Sequence, residues 1–272
     1  MLKFPINFYP YQHPPERLLN ITDKLEKMIT KFNLATTHPS WHRCLENAIN
    51  QLDETYRDSL YQTNNWLPGC DKIFNAFSLP VENVNYVLFG ESPYPRTESA
   101  NGYAFWDANV KEIWSETGLS KSVNRATSLR NIIKMLLVAD EILQSNKTSQ
   151  EDIAQINKDF FVKNNSDFFQ NLLSHGFLLL NASLVLQPTS VRKDAREWRP
   201  FLEYVLNFLL HERPTVQLIL LGNIANEIDP LIHQQGLKKI YAEHPYNISF
   251  IHNKDVIEFF KPLRLLKAQV GK

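Results

Sequence analysis

A carboxylate, a hydroxyl and a phenol lie close together in the chain at Glu91, Ser92 and Tyr94. A side-chain amide at Asn181 and an imidazole at His244 follow much later. An amide carries a donor and an acceptor on one rigid plane, which suits the edge of a nucleobase, and an aromatic ring can stack on that base. Each residue alone has an ordinary explanation, since a histidine before a proline is usually a turn residue. Only jointly do they indicate a nucleobase site.

These polar groups follow short apolar runs that are typical of buried strands. The runs are separated by segments with helical periodicity, which predicts a parallel sheet covered on both faces, an α/β fold with a three-layer α/β/α sandwich. The carboxyl ends of parallel strands meet at one edge, so residues far apart in sequence should converge there. The four predicted strands are 86–89, 177–184, 217–222 and 238–242.

Helical spacing of apolar residues predicts the remaining elements. Residues 1–15 are predicted to form an extended arm, and 144–167 an inserted helical excursion, because that segment contains no glycine or proline. We expect a single domain overall, with an N-terminal arm and helix over 1–39 followed by the main body over 40–272. The predicted helices are 16–32, 40–52, 53–60, 72–77, 128–143, 198–210, 224–233 and 256–266.

Composition excludes several classes of function. The 29 Lys and Arg balance the 29 Asp and Glu, so no overall positive field attracts nucleic acid, and a DNA site must be a local patch. Neither GxGxxG nor GxxxxGK[ST] occurs, which argues against the common nucleotide-cofactor enzymes. No apolar segment has the length of a signal peptide or membrane helix. Cys44 and Cys70 have no metal spacing, which favours reduced thiols in a cytoplasmic protein.

Five stretches resemble motifs of the uracil-DNA glycosylase superfamily, in the correct order. Residues 90–94 and 101–105 look like the family's GQDPYH and HGLxF segments. Residues 178–182 resemble the LLLNxxLT strand, and residues 220–223 resemble the LLWGxxA strand. Residues 244–249 are similar to the HPSPLS loop. The resemblance implies the same sandwich fold and hydrolysis of the N-glycosidic bond of a uracil flipped out of DNA.

The resemblance also assigns roles to individual residues. Phe105 matches the ring that stacks on the base, and Asn181 the amide that reads its Watson-Crick edge. Tyr94 matches the ring that excludes the thymine methyl, and His244 the imidazole that donates to the uracil oxygen. The DNA-contacting positions of the family fall on Ile248, as the wedge between bases, and on Ser128, Asn223 and Ser249, as phosphate contacts.

The catalytic loop departs from the family at its most important position. The water-activating aspartate of the family falls on Ser92, which carries no charge at neutral pH. Glu91 is adjacent, and related branches of the superfamily carry a glutamate there. Glu91, Ser92 and His244 therefore form the predicted catalytic set.

Neighbouring loops differ from the family pattern as well. Pro95 replaces a histidine, and Arg96-Thr97 replaces a Gly-Pro. Tyr246-Asn247 replaces a Ser-Pro, which removes a small hydroxyl that contacts phosphate in the family. Residues 122–127 replace a proline-rich segment. These changes alter the frame around the predicted pocket.

Three functions agree with these observations. The first is a monofunctional glycosylase that removes uracil, with Glu91 as the water activator. The second is a binder of DNA or another partner that has lost the chemistry, as Ser92 and Pro95 suggest. The third is a glycosylase for a different damaged base. The expected partner is DNA containing uracil or a related lesion, with no membrane, and the protein is expected to be a monomer that needs no metal or organic cofactor.

Overall fold

The computed structural model describes residues 32–63, 65–187 and 190–268. The arm predicted for 1–15, and the helix predicted for 16–32 apart from its last residue, lie outside these ranges. The described residues from Asn33 onward form one compact unit. The predicted division between residues 39 and 40 stays a prediction.

Strands and helices alternate through most of the described chain. The strands are β1 (Tyr86–Gly90), β2 (Trp114–Ser115), β3 (Gly118–Leu119), β4 (Phe177–Asn181), β5 (Gln217–Leu221) and β6 (Lys239–Ala242). The α-helices are α1 (His42–Ile49), α2 (Glu54–Gln62), α3 (Lys121–Arg125), α4 (Thr127–Ala139), α5 (Gln150–Ala154), α6 (Asn165–Ser174), α7 (Val191–Glu197), α8 (Arg199–Glu212), α9 (Ile224–Ile228) and α10 (Lys254–Phe260). Short 3-10 helices span Pro39–Trp41, Asn75–Ser78, Val81–Asn83, Asp229–Leu231, Ile248–His252 and Lys261–Leu263.

The central sheet has four parallel strands in the order β4-β1-β5-β6. The predicted α/β fold with a four-stranded parallel sheet is therefore confirmed. In the β1–β4 register, Tyr86 lies opposite Phe177 and Gly90 lies opposite Asn181, so both strands end at the same edge. This shared edge brings together the loops that follow the strands.

Side chains on the two faces of the sheet enter different layers of the protein. Leu88, Leu179 and Ile219 belong to one apolar core together with residues of α4, α6 and α10. Successive side chains of a strand point to opposite faces, so the buried Val87 and Leu178 point into the other layer. Burial on both faces explains why the strands are almost continuously apolar.

The second layer contains α1 and α8, which pack against each other. Its core is rich in aromatic rings. Phe74 and Phe201 stack with ring centroids 6.0 Å apart, and Trp41 meets Phe77 edge-on at 5.1 Å. Such ring pairs add to the stabilisation that burial of their large apolar surfaces provides. The sheet thus lies between two helical layers.

The prediction of a helical excursion over 144–167 is wrong for most of its length. Only α5 and the first turn of α6 are helical there. The polar side chains cap helices instead of extending them: Ser149 and Asp152 form a capping box at α5, and Asn164 accepts a hydrogen bond from the N–H of Asp167. Such side chains compete for backbone groups and therefore favour helix starts over helix interiors.

Several element boundaries also differ from the predicted ones. The strand predicted for 177–184 ends at Asn181, and the Ser183 hydroxyl then donates to the Val185 carbonyl at 2.6 Å as the chain turns. The helix predicted for 128–143 ends at Ala139, and Glu141 has a φ of 61° that is incompatible with helix continuation. The small β2–β3 hairpin and helices α3 and α7 were not predicted. No helix in the described ranges is long and apolar enough to cross a membrane.

Asp140 is a buried acid at the end of α4. Its side chain is only 2% exposed, and no described residue donates a hydrogen bond to either carboxylate oxygen. A guanidinium nitrogen of Arg264 lies 3.7 Å from Oδ1 and donates to the Asp140 backbone carbonyl at 2.8 Å. Burial raises the pKa of Asp140 to about 6, although Arg264 and Lys267 act in the opposite direction. The ionised carboxylate therefore destabilises the folded state.

The substitution Asp140→Asn is expected to stabilise the protein above pH 6. Between about pH 4 and pH 6 the folded carboxyl keeps a proton that the unfolded chain has lost, so this group makes stability fall as pH rises through that window. Removing the charge should raise the free energy of unfolding by about 1–3 kcal/mol at pH 7.5 and change it little at pH 4.5. Urea unfolding at the two pH values measures this, with the exposed Asp159→Asn as control. A loss of stability at pH 7.5 would show that the attraction to Arg264 outweighs burial.

Candidate active site

The amide of Asn181 lies at the carboxyl edge of the sheet, directly opposite Gly90. A Cβ atom at residue 90 would collide with Oδ1 of Asn181 and with Cβ of Ala104. Glycine is therefore required there to leave room for the amide. Asn181 is 4% exposed and is held by this close packing. The packing places a rigid donor and acceptor pair beside the loop that carries Glu91 and Ser92.

The loop after β1 stays attached to the segment after β4. The N–H of Ala182 donates to the Gly90 carbonyl at 2.9 Å, and the N–H of Ser183 donates to the Glu91 carbonyl at 3.0 Å. These bonds hold the backbone of Glu91 while its side chain remains exposed, and Ser92 beside it is half-buried. The loop thus presents a carboxylate at the open edge of the sheet.

Phe105 and Tyr94 are joined through a hydrogen bond from the Tyr94 hydroxyl to the Phe105 carbonyl at 3.1 Å. The N–H of Ala104 donates to the Leu179 carbonyl, which ties this loop to β4. Phe105 has a φ of 62°, an unfavourable value for a bulky residue, and such strain often marks functional positions. Burial raises the pKa of Tyr94, so its hydroxyl stays protonated and remains a donor.

His244 packs closely against a second glycine, Gly222, which follows β5. A Cβ atom at Gly222 would lie 2.7 Å from the Cβ atom of His244, and Gly222 has a φ of 71°. The glycine therefore supplies both the backbone conformation and the space that the histidine needs. The His244 ring lies 6.1 Å from the Phe105 ring between centroids, at an interplanar angle of 33°.

The tautomer of His244 is set by its own loop. The N–H of Tyr246 donates to Nδ1 of His244 at 3.1 Å. Nδ1 is then an acceptor, so the neutral ring carries its proton on Nε2, which can donate to a ligand. Burial lowers the pKa of His244, whereas the nearby carboxylate of Glu91 raises it. Burial is the larger effect, which favours the neutral ring.

Two cavities lie beside these residues. One, named here the Tyr94 cavity, has a volume of about 350 Å³, and the other, the Ser92 cavity, has a volume of about 260 Å³. The Tyr94 cavity is lined by Tyr94, Arg96, Asp107, Asn109, Val110, Ser122, Arg125, Ala126, Thr127, Ser128, Leu129 and Tyr246. The Ser92 cavity is lined by Glu91, Ser92, Ala182, Ser183, Val191, Arg192, Ala195, Arg199, Leu202, Asn223, Ile224, Glu227 and Leu231.

The four predicted DNA contacts lie around this edge. Ser128 lines the Tyr94 cavity and Asn223 lines the Ser92 cavity. Ile248 is 71% exposed at the start of the 3-10 helix that follows the His244 loop. The Ser249 hydroxyl hydrogen-bonds the carboxylate of Glu243, whose pKa is lowered by this and other hydrogen bonds despite partial burial. Ser249 thus already has an acidic partner.

Sequence reasoning missed Asn131. Its side chain is 1% exposed in α4, and its Nδ2 donates to the Pro245 carbonyl at 2.7 Å, with the carbonyls of Tyr246 and Asn247 3.4 Å away. A buried amide needs partners, so a polar residue inside the apolar stripe of a helix was the available signal. Asn131 holds the backbone of the loop that carries His244.

The arrangement joins a planar amide, a neutral imidazole donor, an aromatic ring and an exposed carboxylate at one edge. In the described part of the chain, no group of three or more His, Cys, Asp or Glu residues could hold a metal ion. A base that contacts both Asn181 and Phe105 would lie within reach of the His244 ring, which is 6.1 Å from the Phe105 ring, so His244 could donate to negative charge on that base. Such donors act strongly because they are already oriented before the reaction.

Comparison with known proteins gives no match to any protein-family model. Curated relatives do match: the uracil-DNA glycosylase of Streptococcus agalactiae is 28% identical over 218 residues, covering 78% of this chain and 85% of that protein. The uracil-DNA glycosylase of Chlamydia abortus is 27% identical over 215 residues, covering 76% of this chain and 80% of that protein.

A wild-type UNG crystal structure from Nitratifractor salsuginis is 38% identical, with a TM-score of 0.81 over 95% of this chain and 100% of that one. The chain belongs to the uracil-DNA glycosylase superfamily. The resemblance seen in the motifs is thus confirmed. A mimivirus uracil-DNA glycosylase structure, 16% identical with a TM-score of 0.54 over 89% of this chain and 78% of that one, shares the fold. The roles of individual residues in this superfamily member stay predictions.

The protonation of His244 gives a test of this geometry that needs no activity. We expect the pKa of His244 to lie below the ordinary value of about 6.5, because burial disfavours the imidazolium. In Glu91→Gln it should fall further, because the carboxylate that raises it has been removed. NMR titration of the ring measures both, with the exposed Glu258→Gln as control. An unchanged pKa in Glu91→Gln would place the Glu91 carboxylate away from the imidazole.

The substitution Asn131→Ala should destabilise the protein by about 1–3 kcal/mol, because it removes the donor to a buried carbonyl. It should also broaden the NMR signals of His244, whose loop it releases. The matched control is Asn207→Ala, which removes an amide that donates to the Glu203 and Leu231 carbonyls and makes no contact with the His244 loop. If Asn131→Ala loses stability but leaves the His244 signals as sharp as they are in Asn207→Ala, Asn131 does not position the loop.

Proposed function

We propose that this member of the uracil-DNA glycosylase superfamily is a DNA-repair enzyme that hydrolyses the N-glycosidic bond of a flipped-out uracil. The observation that carries the proposal is the packing of the Asn181 amide on Gly90 and next to Ala104, together with the Phe105 ring that follows Ala104 and lies 6.1 Å from the His244 ring. The amide supplies a donor and an acceptor for the Watson-Crick edge of the base. Phe105 supplies a ring for stacking, and Tyr94 limits the space at one side of the base.

His244 stabilises the departing base. When the bond between N1 and C1′ breaks, its electrons move onto the uracil ring, and negative charge grows on an oxygen within reach of Nε2–H. The Tyr246 N–H keeps the proton on Nε2 by occupying Nδ1. A neutral donor needs no proton transfer to act, and one oriented donor of this kind contributes about 3–4 kcal/mol.

Glu91 activates the water in this proposal. Its carboxylate is exposed at the same edge and acts electrostatically on His244, which supports its proximity to the reacting sugar. The carboxylate accepts a proton from water as the oxygen attacks C1′, and its negative charge stabilises the cationic sugar. Ser92 orients the water through its hydroxyl, because it is half-buried and lines the same cavity as Glu91.

A few residues around the pocket bind the DNA, in keeping with the zero net charge of the chain. The exposed Ile248 fills the gap that the extruded base leaves in the stack. Ser128 and Asn223 contact phosphates on either side of that wedge, and Ser249 does so when its hydroxyl turns from the Glu243 carboxylate to a phosphate. Every residue in the proposed site comes from one chain, so a monomer suffices, and the cytoplasmic location belongs to the same proposal.

Cleavage of a uracil-containing oligonucleotide in single-turnover assays tests the function, with thymine-containing DNA as the negative control. The substitution Glu91→Gln should lower the rate about 100-fold or more, because general-base catalysis contributes about 100- to 10,000-fold. Adding Ser92→Asp to Glu91→Gln should restore part of the rate, because it moves the carboxylate one residue along the loop. Glu258→Gln, a change in an exposed glutamate of α10, should leave the rate unchanged.

Two outcomes would contradict this assignment. Full activity in Glu91→Gln would exclude Glu91 as the water activator. A wild-type protein that binds uracil-DNA without cleaving it, together with cleavage by Ser92→Asp alone, would indicate a DNA-binding protein that has lost the chemistry.

A further inference from the structure

The Tyr94 cavity is not used by the reaction proposed above, apart from Tyr94 itself and Ser128. Its volume of about 350 Å³ falls at the lower end of ordinary ligand pockets. Tyr246 forms one wall, and its ring is 66% exposed. A large exposed aromatic ring beside an open cavity can serve as a binding surface.

Tyr246 has a fixed backbone beneath this exposed ring. Its N–H donates to Nδ1 of His244, and its carbonyl lies 3.4 Å from Nδ2 of the buried Asn131. None of the described residues hydrogen-bonds its hydroxyl group. The backbone is therefore held in place while the face of the ring stays open to a stacking partner.

Two arginines, Arg96 and Arg125, also line the cavity. Arg125 is exposed, and no acidic side chain in the described ranges pairs with it. Arg96 donates to Asp107 at 3.2 Å, and the other oxygen of that buried carboxylate accepts the Asn109 N–H. Arg96 is thus neutralised by Asp107, whereas Arg125 is available to an anion. The hydroxyls of the lining serines and threonine add further hydrogen-bond donors.

The position of the cavity identifies its ligand. Tyr246 lies two residues after His244 and two before Ile248, within about 7 Å of chain from each. A nucleotide adjacent to the extruded uridine would therefore reach it. Bases of any sequence stack on an aromatic face, and arginine neutralises the phosphate that follows.

We propose that the Tyr94 cavity is a subsite for the nucleotide that neighbours the extruded uridine, whose base stacks on Tyr246 and whose phosphate is bound by Arg125. This inference rests on the proposed function, because it requires a uridine at Asn181 and His244. It assigns a role in DNA recognition to Tyr246, which replaces a serine of the family, and to Arg125, which precedes α4.

Binding of defined single strands tests the subsite. The probes are fluorescein-labelled oligonucleotides that contain one 2′-fluoro-2′-deoxyuridine, whose fluorinated sugar slows cleavage. The nucleotide on its 5′ side or on its 3′ side is either intact or replaced by a tetrahydrofuran abasic nucleotide. Removing the neighbouring base on one of the two sides should weaken wild-type binding about tenfold, within the roughly 5- to 150-fold range that stacking on an aromatic ring provides.

Variants assign that loss to the ring. Tyr246→Ala should bind the intact strand about tenfold more weakly, with no further loss when the same neighbouring base is absent, whereas Tyr246→Phe should behave as the wild type. Phe160→Ala, a change in another exposed ring in a different cavity, is the matched control. The subsite would be overturned if Tyr246→Ala left affinity unchanged or weakened binding of the intact and abasic strands equally.

Salt dependence tests the arginine. Arg125→Gln should reduce the slope of log K against log salt concentration by about 0.7, the value of one phosphate contact on a single strand. Arg43→Gln, an exposed arginine of α1, should not change that slope. An unchanged slope in Arg125→Gln would remove Arg125 from the subsite.

The cleavage assay separates the two proposals. If the protein cleaves uracil-DNA but loss of the neighbouring base weakens binding equally in the wild type and in Tyr246→Ala, the subsite is overturned and the glycosylase function stands. If loss of the neighbouring base weakens binding only when Tyr246 is present, and uracil-DNA is not cleaved, the glycosylase function is overturned. The cavity would then be a nucleotide subsite of a DNA-binding protein.

Discussion

The close approach of the Asn181 amide to the backbone of Gly90 is the constraint on which the site depends. The amide lies at the sheet edge because the parallel register of β1 and β4 places the two residues opposite each other, and because residue 90 has no side chain. The contact between Gly222 and His244 repeats this arrangement directly after the end of β5. Both polar groups are thus packed against strands, which position side chains more accurately than loops do.

The histidine depends on a second set of contacts, which control its proton. Nδ1 is occupied by a backbone N–H of its own loop, and Asn131 holds that loop from the core of α4. Burial and the Glu91 carboxylate act on the imidazole in opposite directions, with burial dominant. Burial in the core therefore contributes to the protonation of His244, and a buried helix residue supports the loop of a group that it does not touch.

Departures from the family motifs are concentrated in loops and not at the strand ends. Gly90 and Gly222 have steric neighbours that exclude a side chain, and Asn181 is buried, whereas Arg96 and Tyr246 are exposed in loops, where many side chains fit. Together with Arg125, these loop residues give the Tyr94 cavity an aromatic wall and a cationic wall. The same scaffold thus allows the surroundings of the pocket to change while the pocket itself is retained.

The sheet, its four parallel strands and the motifs of the superfamily were predictable from the sequence, because an apolar run of strand length and the glycine or polar residue that follows it are local signals. It did not predict that 144–167 is mostly irregular, since capping by Ser149 and Asn164 depends on where each helix starts. Only the tertiary structure revealed the proton position on His244, the support from Asn131, and the cavity between Arg125 and Tyr246. The Asn131 contact and the lining of the cavity join segments about 115 to 120 residues apart, for which no local pattern in the sequence exists. The proton position on His244 depends on a hydrogen bond within its own loop, whose backbone conformation Asn131 supports.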